Sequence, residues 1–230
     1  MFAWFFDALK EMNLSLSDVQ IRQFETYSAF LLETNKQMNL TAITEVEEVY
    51  RKHFLDSLAL SRLPGLKAQT LLDVGSGAGF PSIPLKICFP ELKITIIDSL
   101  QKRIGFLTTL VDKLNLAGVE LIHIRAEDFV RRHAFDIVTA RAVAHLNVLC
   151  EWCIPFAKVG GSFVAMKALG AESEIAAAKP AILLLGGSLR EAIVYDIGAG
   201  ERHQLIVIDK VKGTPNGYPR PYSKIKTKPL

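Results

Sequence analysis

The stretch Leu71-Leu72-Asp73-Val74-Gly75-Ser76-Gly77-Ala78-Gly79-Phe80-Pro81 leaves few folds open to this chain. A short apolar run, broken only by Asp73, reads as a strand buried on both faces. It empties into three glycines at alternate positions, and glycine accepts positive φ and lets a ligand come close to the backbone. A buried strand that ends this way ahead of a helix is the opening unit of an open parallel sheet, where ligands bind beyond the carboxyl ends of the strands.

The chain after Thr70 agrees with that start. Thr70 to Val74, Ile94 to Ile97, Val119 to Ile124, Phe135 to Thr139 and Ser162 to Met166 read as strands. Helical stretches near Pro84 to Cys88, Lys102 to Leu114, His145 to Trp152 and Glu172 to Lys179 lie between them. Strand–helix alternation predicts a parallel sheet covered on both faces. Past Gly186-Gly187, Ala192 to Ile197 and His203 to Asp209 flank Gly198-Ala199-Gly200 and read as an antiparallel hairpin at the sheet's edge. The expectation is an α/β fold: a doubly wound, Rossmann-like sheet over residues 67–210, an N-terminal helical appendage over 1–66 and a basic C-terminal tail over 211–230.

Within the appendage, Ser17 or Asp18 caps a helix with Val19, Ile21, Phe24, Tyr27, Phe30 and Leu31 near helical spacing. Thr34-Asn35-Lys36-Gln37 reads as a polar turn. Thr44 and Glu47 read as a capping box for a helix through Val49, His53 and Phe54, and Pro64-Gly65 closes the region. Met1 to Asp7 lacks a basic lead segment, so it reads as an amphipathic helix packed on the body rather than as a signal peptide.

With 50% hydrophobic and 22% charged residues, the composition excludes a mainly disordered, collagen-like or coiled-coil chain. Three cysteines cannot form a disulfide framework and point to a reducing compartment. No apolar run approaches the roughly 18–20 residues needed to cross a bilayer. A cytoplasmic monomer with no membrane or metal partner is expected. Cys150-Glu151-Trp152-Cys153 supplies two thiols where a structural zinc site needs four ligands, so these read as buried apolar side chains.

Asp98 closes the second strand, 25 residues after Asp73. An acidic residue there can accept hydrogen bonds from both hydroxyls of a ribose. The third strand ends in Arg125-Ala126-Glu127-Asp128, beside the place an adenine would take. A dinucleotide loop is usually G-x-G-x-x-G and faces a pyrophosphate. Here the spacing is G-x-G-x-G with Asp73 two residues ahead, a carboxylate that repels pyrophosphate and suits a ligand with an ammonium and a sulfonium. S-adenosyl-L-methionine is therefore the expected cofactor. The alternatives are a nicotinamide- or flavin-linked oxidoreductase using the same loop, and a non-catalytic RNA-binding module.

Further motifs carry a resemblance: Asn39-Leu40-Thr41-Ala42-Ile43-Thr44, then Arg51-Lys52-His53-Phe54-Leu55-Asp56-Ser57-Leu58, the Gly-Phe-Pro end of the glycine loop, Asp98-Ser99-Leu100-Gln101-Lys102-Arg103, and Ala140-Arg141-Ala142. From about Tyr27 to Lys167 the chain resembles the glucose-inhibited division protein B family, the small-subunit (16S) rRNA guanine-N7 methyltransferases. The resemblance implies cofactor contacts at Gly75, Phe80, Ala126, Glu127 and Arg141, with Asp73, Gly77, Gly79 and Asp98 completing the set by their placement. It also implies an rRNA acceptor in the small ribosomal subunit. The tail Thr214-Pro215-Asn216-Gly217-Tyr218-Pro219-Arg220 is similar to one found in many members, but Ser223 and Ile225 stand where glycine and proline are expected.

Five basic and no acidic residues lie between Val211 and Leu230, interleaved with Tyr218 and Tyr222. Charge with stacking rings is how single-stranded RNA is commonly held. Arg220, Lys224 and Lys226, with Lys102, Arg103 and Lys167, are candidate RNA contacts, and Asn39 and Thr41 join them. Guanine N7 has a lone pair and no proton, so positioning suffices and no general base is needed. Arg141 would hold the methionine carboxylate or O6 of the guanine; otherwise it is a structural ion-pair partner. His53 and Asp56, three apart on one helical face, position the base or tether the appendage.

Overall fold

In the computed structural model, which describes residues 2–230, the N-terminal region is built from α1 (Ala3–Glu11), α2 (Asp18–Met38), α3 (Val46–Glu48), a π-helical turn (Val49–Leu55), α4 (Asp56–Leu58) and a 3-10 turn (Ala59–Arg62). The body follows as β1 (Thr70–Val74), α5 (Ser82–Cys88), β2 (Lys93–Asp98), α6 (Gln101–Lys113), β3 (Val119–His123), β4 (Phe135–Arg141), α7 (Leu146–Cys153), β5 (Ala157–Ala168), α8 (Glu172–Leu184), β6 (Gly187–Asp196) and β7 (Arg202–Lys210), with α9 (Tyr222–Thr227) in the tail. The seven strands lie in the order β3-β2-β1-β4-β5-β7-β6. The first five run parallel, β7 is antiparallel to β5, and β6 is antiparallel to β7. The α/β sheet with its terminal hairpin is as expected.

Alternation along the central strands divides the core. Leu71 and Ile96 face a cluster shared with Phe5, Phe24, Tyr27, Leu31 and Phe54 of the N-terminal helices. Leu72 and Ile97 face a second cluster with Leu149, Cys150 and Phe156. The N-terminal helices therefore cover one face of the sheet as part of its core. Phe5 and Leu9 seat α1 there, as expected for an amphipathic opening helix. Cys150 and Cys153 are fully buried in the other layer.

Local chemistry explains the starts and stops. Ser17 caps α2 with a capping box: Gln20 N–H donates to Ser17 Oγ, and Ser17 N–H donates to Gln20 Oε1. Two local expectations are corrected. Thr34 to Gln37 is not a turn, because α2 runs through it to Met38 and ends on Asn39 in the left-handed conformation (φ 49°) that asparagine tolerates. Thr44 does not cap α3, whose N-cap is Glu45 with no side-chain hydrogen bond. The tail is also ordered: with Ser223 and Ile225 in place of glycine and proline, the chain forms α9 and buries Ile225 completely.

Candidate functional site

The glycine loop turns on positive φ at Gly75 (74°), Gly77 (63°) and Gly79 (103°). Gly75 N–H donates to Ile97 O at 2.8 Å, which fixes the loop to the end of β2. A Cβ on Gly79 would stand 2.7 Å from Ile83 and 2.9 Å from both Leu107 and the Tyr27 hydroxyl. Gly77 has open space where a Cβ would point. Tyr27 supports the turn from α2: its hydroxyl donates to Ala78 O at 2.6 Å and its ring stacks on Phe80.

A cavity of about 460 Å³ opens over this loop, at the carboxyl ends of β1 to β4. Gly75, Gly77, Phe80, Asp98, Ala126, Glu127 and Arg141 line it, so the structure brings these expected cofactor residues together. Asp98 accepts hydrogen bonds from Gly77 N–H (3.3 Å), Leu100 N–H (2.9 Å) and Arg103 Nη1 (3.3 Å). Glu127 Oε1 is buried with no hydrogen-bond partner. Gly79 packs behind the loop, and Asp73 lies outside the cavity lining and is fully buried. Asp73 Oδ2 accepts from Ser82 Oγ at 2.5 Å, while Oδ1 has no hydrogen-bond partner. Burial outweighs the Ser82 hydrogen bonds and pushes this carboxyl up to about 7.

Arg141 stands on the opposite wall. Its Nη1 donates to Asp56 Oδ2 (2.8 Å) and Lys52 O (3.2 Å), and Nη2 donates to His53 Nδ1 (3.2 Å). The Phe80 ring lies under both side chains: the His53 imidazole stacks on it at 4.3 Å and the Arg141 guanidinium sits 4.9 Å from its centre. Because Nδ1 accepts from Arg141, the imidazole proton is on Nε2 and faces Thr41 Oγ1 at 2.8 Å. Burial, with the Arg141 charge beside it, holds His53 down at about 3. A π-helical turn, a form that often marks functional sites, brings His53 to this wall, and α4 follows at once with Asp56.

Asp56 is 3% exposed and does not touch the cavity. Besides Arg141 it accepts from the Tyr195 hydroxyl (2.7 Å) and His203 Nδ1 (2.8 Å), both on the terminal hairpin. Burial pushes its pKa up, but these hydrogen bonds and the Arg141 charge outweigh it and keep Asp56 ionised. The hydrogen bond to Asp56 in turn raises His203. Tyr195 and His203 escaped the sequence reading because they lie 139 and 147 residues from Asp56. Asn35 escaped it too. Its side chain accepts from Leu40 and Thr41 N–H and donates to Thr41 O, folding the segment that carries Thr41 to the cavity rim.

The expected RNA contacts are dispersed. Thr41 and Arg103 line the cavity, with exposed Asn39 and Lys102 nearby through the Lys102 contact to Met38 O. Lys167 is held at 2.7 Å by Glu174 and donates to Ala144 O. Arg220 is bound to Glu151, which is fully buried. Lys224 and Lys226 are exposed on α9. Among the described residues no His/Cys/Asp/Glu cluster can hold a metal ion, and no helix is long and apolar enough to cross a membrane.

Strand order and cavity position together define a Rossmann-like methyltransferase fold. It is similar to a SAM dependent methyltransferase from Aquifex aeolicus, with a TM-score of 0.59 at 16% identity over 74% of this chain and 96% of that one. More particularly, the chain belongs to the rRNA small subunit methyltransferase G (GidB) family, whose model matches residues 20–204. It is 52% identical to the ribosomal RNA small subunit methyltransferase G of Bacillus pumilus (strain SAFR-032) over 220 residues, covering 93% of this chain and 92% of that protein. It is 51% identical to the protein of that name from Staphylococcus aureus (strain bovine RF122 / ET3-1), covering 94% and 93%. The chain is thus a methyltransferase that uses S-adenosylmethionine, and the oxidoreductase alternative is not favoured.

Proposed function

We propose that this cytoplasmic enzyme transfers a methyl group from S-adenosylmethionine to N7 of a guanine in 16S rRNA of the small ribosomal subunit, in line and without a covalent enzyme intermediate. The observation that carries the reading is the Arg141–His53 pair at the cavity wall, with both imidazole nitrogens engaged and the ring neutral. A site arranged to hold, with its histidine unavailable as a base, suits an acceptor that has no proton to lose.

The residues present fit the cofactor: open space over Gly77, a carboxylate at Asp98 and, at Glu127, a buried oxygen that makes no hydrogen bond and has only the Arg125 guanidinium at 4.0 Å. Gly75, Gly77 and Phe80 would cradle it, with Asp73 and Gly79 holding the loop from behind. Asp98 would take the ribose hydroxyls, and Ala126 and Glu127 the adenine. When bound, the cofactor supplies an activated methyl group on its sulfonium. Arg141 uses three donors on Asp56, Lys52 and His53, which leaves its Nε hydrogen and one Nη2 hydrogen uncommitted, and its guanidinium would hold the methionine carboxylate. His53 and Asp56 position that guanidinium. Orienting both reactants can supply roughly 7–11 kcal/mol of the barrier. Asn39, Thr41, Lys102 and Arg103 at the rim, with Lys224 and Lys226 on α9, would meet RNA.

The test incubates the protein with methyl-labelled cofactor and unmodified small subunits, then maps the label by nuclease digestion and mass spectrometry. Label on a single 16S guanine N7 is expected, and label on an exocyclic amine, a base carbon or a ribose oxygen overturns the reading.

A further inference from the structure

The C-terminal segment contributes to the cavity wall. Tyr222, on α9, lines the cavity together with Trp152 of α7 and Arg125 at the end of β3. The Tyr222 and Trp152 rings are parallel, 4° apart in plane with centroids at 6.4 Å. The Arg125 guanidinium lies 4.8 Å from the Tyr222 ring centre. This group adjoins Ala126 and Glu127, the residues that meet adenine in the function proposed above.

The tail is anchored for this placement. Glu151 precedes Trp152 on α7 and is fully buried. Its Oε1 accepts from Arg220 N–H and Nε, both at 2.8 Å, and its Oε2 accepts from Nη2 at 2.7 Å. A buried carboxylate without a partner is strongly destabilising, so α7 depends on Arg220 being present. Ile225, fully buried, fixes the other side of α9. Between these two anchors Tyr222 keeps 39% of its surface exposed, a large ring left partly uncovered at a cavity rim. The tail meets α7 through an ion pair (Arg220–Glu151), a stacked pair (Tyr222–Trp152) and a hydrogen bond from Asn147 Nδ2 to Leu230 O.

We infer that Tyr222 is a cofactor-binding residue: the tail closes the adenine end of the site, and its ring, backed by Trp152 and Arg125, shields the purine from water. The inference rests on the cofactor reading above, and it shifts Tyr222 from the RNA surface, where interleaving with basic residues had placed it, to the cofactor wall. A ring contact of this kind is worth about a three- to tenfold change in affinity.

The experiment titrates S-adenosylhomocysteine into the RNA-free protein by calorimetry, for the unaltered chain, Tyr222→Ala, Tyr222→Phe and Lys228→Ala. Tyr222→Ala should weaken binding about three- to tenfold, with Tyr222→Phe and Lys228→Ala binding as the unaltered chain does. Circular dichroism on each variant separates loss of the ring from loss of α7 packing. Equal affinity for Tyr222→Ala and the unaltered chain overturns the inference, and a defect confined to small-subunit binding assigns the ring to RNA instead. If the unaltered chain binds no S-adenosylhomocysteine, the cofactor reading itself falls, and the inference with it.

Discussion

The floor and the wall of the cavity are built on different principles. The floor is backbone: three positive-φ glycines, tied to Ile97 and supported by the stacked rings of Tyr27 and Phe80. The wall is charge: one buried carboxylate, Asp56, receives Arg141, Tyr195 and His203 and so aims the guanidinium. The floor's glycines and Phe80 lie within a few positions of one another, with Tyr27 supporting them from α2, whereas wall residues come from the π-helical turn, the start of α4, β4 and the terminal hairpin. A backbone cradle fails by overcrowding and a charge cradle by losing a partner. Each therefore has its own signature under substitution.

The largest expected effect is on the wall. Asp56→Ala leaves Arg141 and His203 without their shared partner, and urea denaturation should show a loss of about 3–5 kcal/mol. A loss under about 1 kcal/mol would erase the distinction drawn between the two sides. Next comes Gly79→Ala, which forces a methyl group against Ile83, Leu107 and Tyr27 at a strained φ and should cost about 2–4 kcal/mol. Gly77→Ala meets open space and should cost only the left-handed penalty of about 1–2 kcal/mol. If the two alanines proved equally harmful, the floor would not be limited by packing.

Acidity sharpens the contrast further. In the unfolded chain His53 titrates near 6.5, against about 3 in the fold. Between those values the unfolded chain binds a proton that the fold does not. Stability must then fall as pH drops from about 6.5 toward 3, by at most about 1.4 kcal/mol per unit from this group. His53→Gln should flatten that limb in denaturation curves taken across the range. His203, raised by Asp56, acts in the opposite sense: its contribution is complete below about 6.5 and is lost as pH rises through its folded value. The smallest effect belongs to the floor's outer support. Tyr27→Phe removes one buried hydrogen bond to Ala78 O and should cost about 1 kcal/mol, read as a small fall in melting temperature.

The same division explains what could be read in advance. β1 falls on Thr70–Val74, as expected, because a strand buried on both faces advertises itself in local composition. The hairpin was harder. β6 begins at Gly187, well before the expected Ala192, because polar Ser188 and Glu191 take strand geometry by pairing with Asp209 and Val207 of β7, with Arg190 carried across a register shift between them. β5 starts at Ala157, through the uncharacteristic Gly160-Gly161, where β4 supplies the partner across a bulge. In the site, Gly75, Asp98 and Glu127 were legible because loops at successive strand ends converge in any sheet of this kind. Tyr195, His203 and Trp152 were not, since their roles depend on which distant side chain folding delivers to them.

Because Asp56 accepts from the last two strands, the order of synthesis matters. A nascent chain that has emerged only through β5 already contains the glycine loop, β1 to β4 and the N-terminal helices, yet Tyr195 and His203 do not exist to steady the carboxylate. The carboxylate that holds Arg141 is therefore steadied last, by strands made after every residue of the glycine loop, and the wall of the cavity is completed from the end of the chain backwards.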